Sequence, residues 1–190
     1  MEGIDGAGKS VLVEYLEKNM KVEGIEVVSF PSSHFYARYY KGMRGPVVEM
    51  IQQEDKKYMY DKHVKKGTKV LLCDRAEVSQ MVYNGTEKTS IKSDKVIYLD
   101  IEVDKALDRV NERGIEDPLD FEKREVLEDK KKEYERILKS KEYRDKVEWV
   151  KVDGDGYRDS QGTYYDFETM AERLIDIVCE EYLEETKEKT

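Results

Sequence analysis

The sequence predicts an α/β fold, with short strands in a parallel sheet and helices over both faces. Three observations lead there. Four short apolar runs recur along the chain, at residues 25–30, 69–74, 95–101 and 147–152. Helical patterns separate them, the alternation expected of a parallel sheet. A glycine-rich turn over residues 3–10 leads directly into the first helical pattern. With 190 residues the chain suits one domain, residues 1–190, around a single large core.

Each strand run is nearly continuously apolar, as expected when helices cover both sheet faces. The helix beginning at Lys9 sets Val11, Leu12, Tyr15 and Leu16 on one face, and Asp104 is placed to cap a helix carrying Leu107 and Val110. Gly24 and Gly114 fall where helix stops are expected. Residues 120–146 read as strongly helical, anchored by Phe121, Val126, Leu127, Tyr134 and Ile137, with Lys130, Lys131 and Lys132 as a solvated face. A last helix, residues 166–184, spaces Phe167, Met170, Leu174, Ile177 and Val178 as a core stripe.

Residues 154–165, rich in Gly, Asp and Tyr, read as a loop. Its start is not a calcium loop, because Tyr157 and Arg158 stand where an acid and a glycine are needed. A buried strand normally leads into a glycine-rich turn of the kind at residues 3–10. Here only Met1 and Glu2 precede it, so the expectation is a truncated central strand or residues lost from the start.

Charged residues make up 41% of the chain and the formal net charge is −9, which argues against general nucleic-acid binding. A small anion remains a fitting ligand, since a local nest of amides overrides a negative global charge. Cys73 and Cys179 both lie in apolar runs, read as buried reduced thiols, and share no ligand spacing with His34 or His63. No stretch of 18 apolar residues occurs and no leader pattern opens the chain, so a cytoplasmic location is expected.

The strongest chemical signal is Gly3-Ile4-Asp5-Gly6-Ala7-Gly8-Lys9-Ser10, which fits G-x-x-x-x-G-K-[ST] at every fixed position. Glycines let successive backbone N–H groups curl around a phosphate, and the following helix adds its positive end. Lys9 is expected on the β- and γ-phosphates of a nucleotide, and the Ser10 hydroxyl on Mg²⁺. The second signal is Val70-Leu71-Leu72-Cys73-Asp74-Arg75, an apolar strand that delivers a carboxylate to the sheet edge where ligands bind. Asp74 can orient a Mg²⁺-bound water or accept a proton, and Arg75 can hold a second phosphate bidentately. The third is Arg109 and Arg113, four apart on one helix face, able to reach phosphates or an adenine ring.

Together these residues resemble the thymidylate kinase family. Its opening Glu-Gly-x-Asp-Gly-x-Gly-Lys-Ser is similar to residues 2–10, and its Asp-Arg segment with a following Ala-Tyr-Gln-Gly turn resembles Asp74, Arg75, Ala76, Ser79 and the run Val82-Tyr83-Asn84-Gly85. Val96-Ile97-Tyr98-Leu99-Asp100 with Arg109, Arg113 and Gly114 is similar to the donor-side segment, and Asp120-Phe121-Glu122 resembles the residues after its lid. The resemblance spans residues 2–154 and implies a P-loop NTPase fold. It further implies a five-stranded parallel sheet flanked by helices on both faces, a short lid at about 113–124, ATP, Mg²⁺ and a homodimer.

The resemblance also assigns roles. Lys9, Asp74, Arg75 and Arg113 become catalytic, with Arg124 helping to close the lid. Gly3, Asp5, Gly6, Ala7, Gly8, Lys9, Ser10, Val11 and Arg109 would bind the donor, and Ser10 and Asp74 the metal. Asp5, where the family contacts the deoxyribose 3′-hydroxyl, would touch the acceptor together with Phe30, Tyr58, Lys62, Arg75, Ser79, Tyr83 and Asn84. The implied reaction is transfer of the ATP γ-phosphate to dTMP.

Several residues depart from the family pattern. Lys62 stands for an arginine that reads the thymine edge, and a lysine lacks the planar fork. Ala76 replaces an aromatic residue or His, Asn84 replaces Gln, and Ser32-Ser33 stands where an acceptor-contacting Arg is common, a role Arg38 or Arg44 can take. The competing readings are a kinase for another deoxynucleoside monophosphate or a deoxynucleoside, and a nucleotide-binding module without transferase activity. The Asn-Lys-x-Asp guanine reader of GTPases is absent from the sequence.

Overall fold

A computed structural model describes residues 1–20, 23–30, 32, 46–86, 89, 91–113 and 123–187. In chain order the elements are α1 (Lys9–Asn19), β1 (Ile25–Ser29), α2 (Pro46–Lys65), β2 (Val70–Asp74), α3 (Glu77–Asn84) and β3 (Val96–Asp100). There follow α4 (Val103–Glu112), α5 (Arg124–Leu138), β4 (Val147–Asp153), β5 (Gly156–Arg158), β6 (Tyr164–Tyr165) and α6 (Phe167–Lys187).

β1 and β2 pair in parallel, from Ile25 opposite Val70 to Ser29 opposite Asp74. β3 and β4 also pair in parallel, from Val96 opposite Val147 to Asp100 opposite Lys151. Between these pairs lie Met1 and Glu2. The Met1 nitrogen donates to the Cys73 carbonyl at 2.6 Å, and the Arg75 N–H to the Met1 carbonyl at 3.0 Å. On the other side the Glu2 N–H donates to the Ile97 carbonyl at 2.8 Å, and the Leu99 N–H to the Glu2 carbonyl at 2.9 Å. Met1 and Glu2 therefore fill the central strand position, which leads straight into the glycine-rich turn. The parallel order is β1, β2, Met1–Glu2, β3, β4.

The sequence underestimates the β content of residues 154–165. β5 pairs antiparallel with β4, and β6 with β5, so the stretch read as a loop is a hairpin. Asp159 organises its turn by accepting from the N–H groups of Gln161 and Thr163 and from the Tyr165 hydroxyl. The glycines and aspartates mark the turns, while Tyr157, Tyr164 and Tyr165 supply the strand propensity between them.

Three helix readings also shift. Asp104 lies inside the first turn of α4 rather than at its cap, and pairs with Arg124. The 120–146 helix is shorter, α5 running from Arg124 to Leu138 before turns that carry Tyr143 into the core. The expected lysine face is only partly solvated: Lys131 binds Asp100 at 2.6 Å and the Ile101 carbonyl at 2.7 Å, and Lys130 binds the Val82 carbonyl at 2.9 Å.

The core gathers Ile4, Leu12 and Leu16 with Tyr98 and Leu99 of β3, Leu127 and Tyr134 of α5, and Met170 and Leu174 of α6. Tyr15 meets the Phe167 ring edge-on at 5.3 Å, tying the first helix to the last. Val11, grouped by spacing with Leu12, is instead 59% exposed beside the glycine-rich turn. Cys73 is half-buried, and burial pushes its thiol up to about 11. Among the described residues no helix is long and apolar enough to cross a membrane.

Candidate active site

The glycine-rich turn is shaped by close packing. Gly6 has φ 83, and a Cβ there would lie 2.4 Å from the Ala106 carbonyl oxygen, so α4 presses its backbone onto the turn. Gly8 has φ 90 at the N-cap of α1, with no side-chain cap bond. The left-handed conformation suits glycine, and it leaves the first N–H groups of α1 directed at the turn. Lys9 is 5% exposed and curls beneath the turn, donating to the Gly3 carbonyl at 2.9 Å and the Ile4 carbonyl at 2.8 Å. Burial, reinforced by the Arg75 charge, pulls its ammonium down to about 7, against the attraction of Asp5, Asp74 and Glu2.

Opposite the turn, the C-terminal end of β2 delivers Asp74 and Arg75, as the apolar-run-then-acid pattern leads one to expect. Ser10 Oγ donates to Asp74 Oδ2 at 3.1 Å, while Asp74 Oδ1 is buried without a hydrogen-bond partner. A buried carboxylate oxygen without a donor, beside a hydroxyl on the phosphate turn, fits a divalent cation or its water. Arg75 is the non-glycine residue with positive φ among the described residues, at 60°. That backbone costs roughly 1–2 kcal/mol for a residue with a Cβ. It turns the guanidinium back toward the glycine-rich turn, where it pairs with Asp5 and lies 5.1 Å from the Tyr83 ring centroid.

Tyr83 completes the cluster, its hydroxyl donating to Asp5 Oδ2 at 3.0 Å. Burial works to raise the Asp5 carboxyl, but Arg75, then Lys9 and the Tyr83 hydroxyl outweigh it and hold it below its ordinary value. Burial likewise opposes the Arg75 charge, and Asp5 more than restores it. Asp5, Lys9, Asp74, Arg75 and Tyr83 thus converge on one cleft from the turn, α1, the β2 edge and α3.

The glycine-rich turn is flanked on a second side. Arg109 donates to the Gly6 carbonyl at 3.4 Å and to the Gly154 carbonyl at 2.8 Å, bridging the turn and the β4–β5 connection. Arg113 is exposed at the end of α4, and most of the proposed lid, residues 114–122, lies outside the described residues. Arg124, expected to help close that lid, pairs with Asp104 and lies 3.9 Å from Glu128.

The residues expected to touch an acceptor differ in their placement. Ser79 is buried, with its hydroxyl on the Glu2 carboxylate and 2.7 Å from the Tyr134 hydroxyl, so it faces the core rather than the cleft. Phe30 is also buried, its ring 5.8 Å from the Lys56 ammonium. Tyr58 is 54% exposed and Lys62 is exposed too. The inward face of α2 carries Gln52, Asp55, Lys56, Met59 and His63 at helical spacing, with Asp55, Lys56 and His63 buried. Gln52 of α2 accepts from the Asn84 side-chain amide at 2.7 Å. Ser32 donates through its N–H to Asp55 at 2.6 Å; Ser33, Arg38 and Arg44 lie outside the described residues.

Glu2, Lys56, Gln52 and Tyr134 were not singled out by sequence as site-forming. Glu2 alone carried a signal, its place in the opening motif. Gln52 and Lys56 belong to a helix whose core face cannot be read until the partner strands are known, while Tyr134, read as a core anchor and buried as expected, carried no sign of its contact with Glu2.

Fold and cleft together define a P-loop phosphotransferase, with a phosphate-binding turn facing an acid–arginine pair at the sheet's edge. A solved thymidylate kinase from Candida albicans superposes with TM-score 0.64 at 14% identity, covering 95% of this chain and 90% of that one. A deoxyadenosine kinase from M. mycoides superposes at 0.54 with 20% identity, covering 94% and 97%. The thymidylate kinase family model matches residues 50–148. The thymidylate kinase of Akkermansia muciniphila is 32% identical over 147 residues, 64% of this chain and 70% of its own length. A probable thymidylate kinase of Archaeoglobus fulgidus is 27% identical over 150 residues, 67% and 74% of the two chains. The chain belongs to the thymidylate kinase family.

Proposed function

We propose that this chain is a thymidylate kinase that moves the γ-phosphoryl group of ATP to dTMP, giving dTDP and ADP. The observation that carries the reading is the cluster Asp5–Arg75–Tyr83 set directly against the Lys9 turn. One phosphate meets backbone amides and an ammonium; a second, opposite it, meets a guanidinium. Phosphoryl transfer asks chiefly for such in-line positioning and charge neutralisation.

In this reading the amides of residues 3–10 and the N-terminus of α1 hold the donor phosphates, with Lys9 swinging from the Gly3 and Ile4 carbonyls onto them. Arg75 holds the acceptor phosphate, and Asp5 takes the deoxyribose hydroxyl. Arg109 borders the donor nucleotide, and Arg113 closes over it from the end of α4. Ser10 and Asp74 are the residues that would hold Mg²⁺, which when bound neutralises phosphate charge and aligns the donor. Asn84 and Gln52, rather than Tyr58 and Lys62, face the acceptor base. A single domain over residues 1–190, a homodimer and a cytoplasmic location belong to the same reading, on the strength of the family.

The test is ADP formation from ATP and Mg²⁺ with dTMP, dUMP, dCMP, dGMP, dAMP or thymidine as acceptor. The reading expects dTMP to give the highest kcat/KM. Preference for a different monophosphate moves the specificity and keeps the chemistry; preference for thymidine or no turnover overturns the assignment.

A further inference from the structure

The turn after β2 holds an unfavourable shape, and two buried charges of opposite sign grip it. Arg75 sits at φ 60, and Ala76 follows at φ −137 and ψ −118. Glu2 Oε1 accepts the Ala76 N–H at 2.9 Å, and the Lys56 ammonium donates to the Ala76 carbonyl at 2.5 Å. One residue is therefore held at both of its peptide groups, by a carboxylate from the strand position beside β2 and an ammonium from α2.

Both holders are themselves fixed. Glu2 is 2% exposed, and its second oxygen takes the Ser79 hydroxyl and the Tyr134 hydroxyl, the latter at 3.3 Å. Lys56 is 8% exposed and donates also to Gln80 Oε1 at 3.1 Å. Burial pulls the Lys56 ammonium down to about 8, against Glu2 of the central segment, Cys73 of β2, Glu77 of α3 and Asp55 of its own helix. A buried ammonium is an expensive way to fill a helix–sheet contact that an apolar side chain could fill. Its distinctive product here is a fixed peptide orientation immediately after Arg75.

We propose that Lys56 and Glu2 are positioning residues that lock the Ala76 peptide and thereby aim the Arg75 guanidinium at the acceptor phosphate. Neither touches substrate. The inference rests on the reading of Arg75 as the acceptor-phosphate ligand. It gives the buried Ser79 a place as well, as one of the groups that orient the Glu2 carboxylate.

The test is a double-mutant cycle between Lys56→Met and Arg75→Ala, with kcat/KM measured separately for dTMP and ATP and unfolding followed in parallel. Lys56→Met alone is expected to lower kcat/KM for dTMP about tenfold and to leave that for ATP within about twofold. In the Arg75→Ala background the same substitution is expected to add less than about twofold, because its effect runs through Arg75. A purely structural lysine would lower stability and affect both substrates alike in both backgrounds, which overturns the proposal. If Arg75→Ala itself weakens both substrates equally, the underlying reading of Arg75 fails. An acceptor-selective Arg75→Ala with a silent Lys56→Met sinks the positioning role alone. Should Lys56→Met not fold, Lys56→Gln is taken through the same cycle and judged by the same criteria.

Discussion

In the proposed reading, the donor phosphates are held by main chain drawn from one contiguous segment. The acceptor side is assembled from side chains that arrive from the central segment, α2, the β2 edge and α3. Residues 3–10 form their cradle because Gly6 and Gly8 take left-handed backbone and because α4 packs against Gly6. Across the cleft, Arg75 depends on Asp5 and Tyr83 as partners and on Glu2 and Lys56 at the following residue. The difference teaches where each half is vulnerable. On the proposed reading, a donor side built largely on amides is most vulnerable at Lys9, whereas an acceptor side made of side chains loses function in graded steps.

The largest expected effect is therefore at Lys9. Lys9→Ala should lower kcat by roughly 10³-fold or more, since the ammonium stabilises charge that develops at the transferring phosphoryl group. The fold should survive, because the lysine is buried against the preference of its own charge. A variant with near-wild-type turnover, measured by ADP release, would remove Lys9 from the chemistry. Next comes Arg75→Ala, expected to raise the KM for dTMP about 100-fold through loss of a bidentate charged contact. The KM for ATP should stay within about threefold. Parallel losses for both substrates would dissolve the distinction between the two halves.

The same contrast explains what the sequence made legible. The phosphate turn, the strand ending in Asp74 and Arg75, and the donor-side Arg109 all lie in short contiguous patterns that reveal their chemistry without the fold. The four long strands were legible too, because burial on both faces demands continuous apolar runs. The hairpin of β5 and β6 was not, since its strands are short and set among turn-forming glycines and aspartates. Nor was the contact between α2 and α3. Which face of α2 points inward depends on its packing against the sheet, so the resemblance carried Tyr58 and Lys62 to exposed positions while Gln52 met Asn84. Ser79 looked like a substrate contact, and only the fold shows its hydroxyl committed to Glu2.

A protonation measurement sharpens the donor half without any substitution. Lys9 is drawn down to about 7 in the free protein, from the ordinary lysine value of 10.5. A lowered lysine makes the unfolded state bind more protons between those values, so this group's contribution to stability rises as pH climbs from about 7 toward 10.5. Phosphates arriving beside Lys9 favour the charged form, so at pH 8 ATP binding should take up a proton, approaching about one per site. Calorimetry in buffers of different ionisation enthalpy reads that number directly. Lys9→Ala should abolish the uptake. Uptake that persists in the variant would assign the proton to another group.

The smallest expected effect probes the acceptor half at its outer edge. Asn84 and Gln52 present carboxamides, which can offer either a donor or an acceptor to a base by rotating half a turn. Such a pair reads a pyrimidine edge less strictly than an arginine fork would. Asn84→Asp replaces an adaptable group with one that only accepts, which suits an exocyclic amino group and opposes a carbonyl. The ratio of kcat/KM for dCMP over dTMP should then rise roughly three- to tenfold, the worth of about one hydrogen bond, with ATP parameters unchanged. The corresponding change at exposed Lys62, Lys62→Ala, should leave the ratio within about twofold. Should Lys62 move the ratio and Asn84 not, the base lies along the outer flank of α2, and the acceptor wall is the one the resemblance drew rather than the one the hydrogen bonds draw.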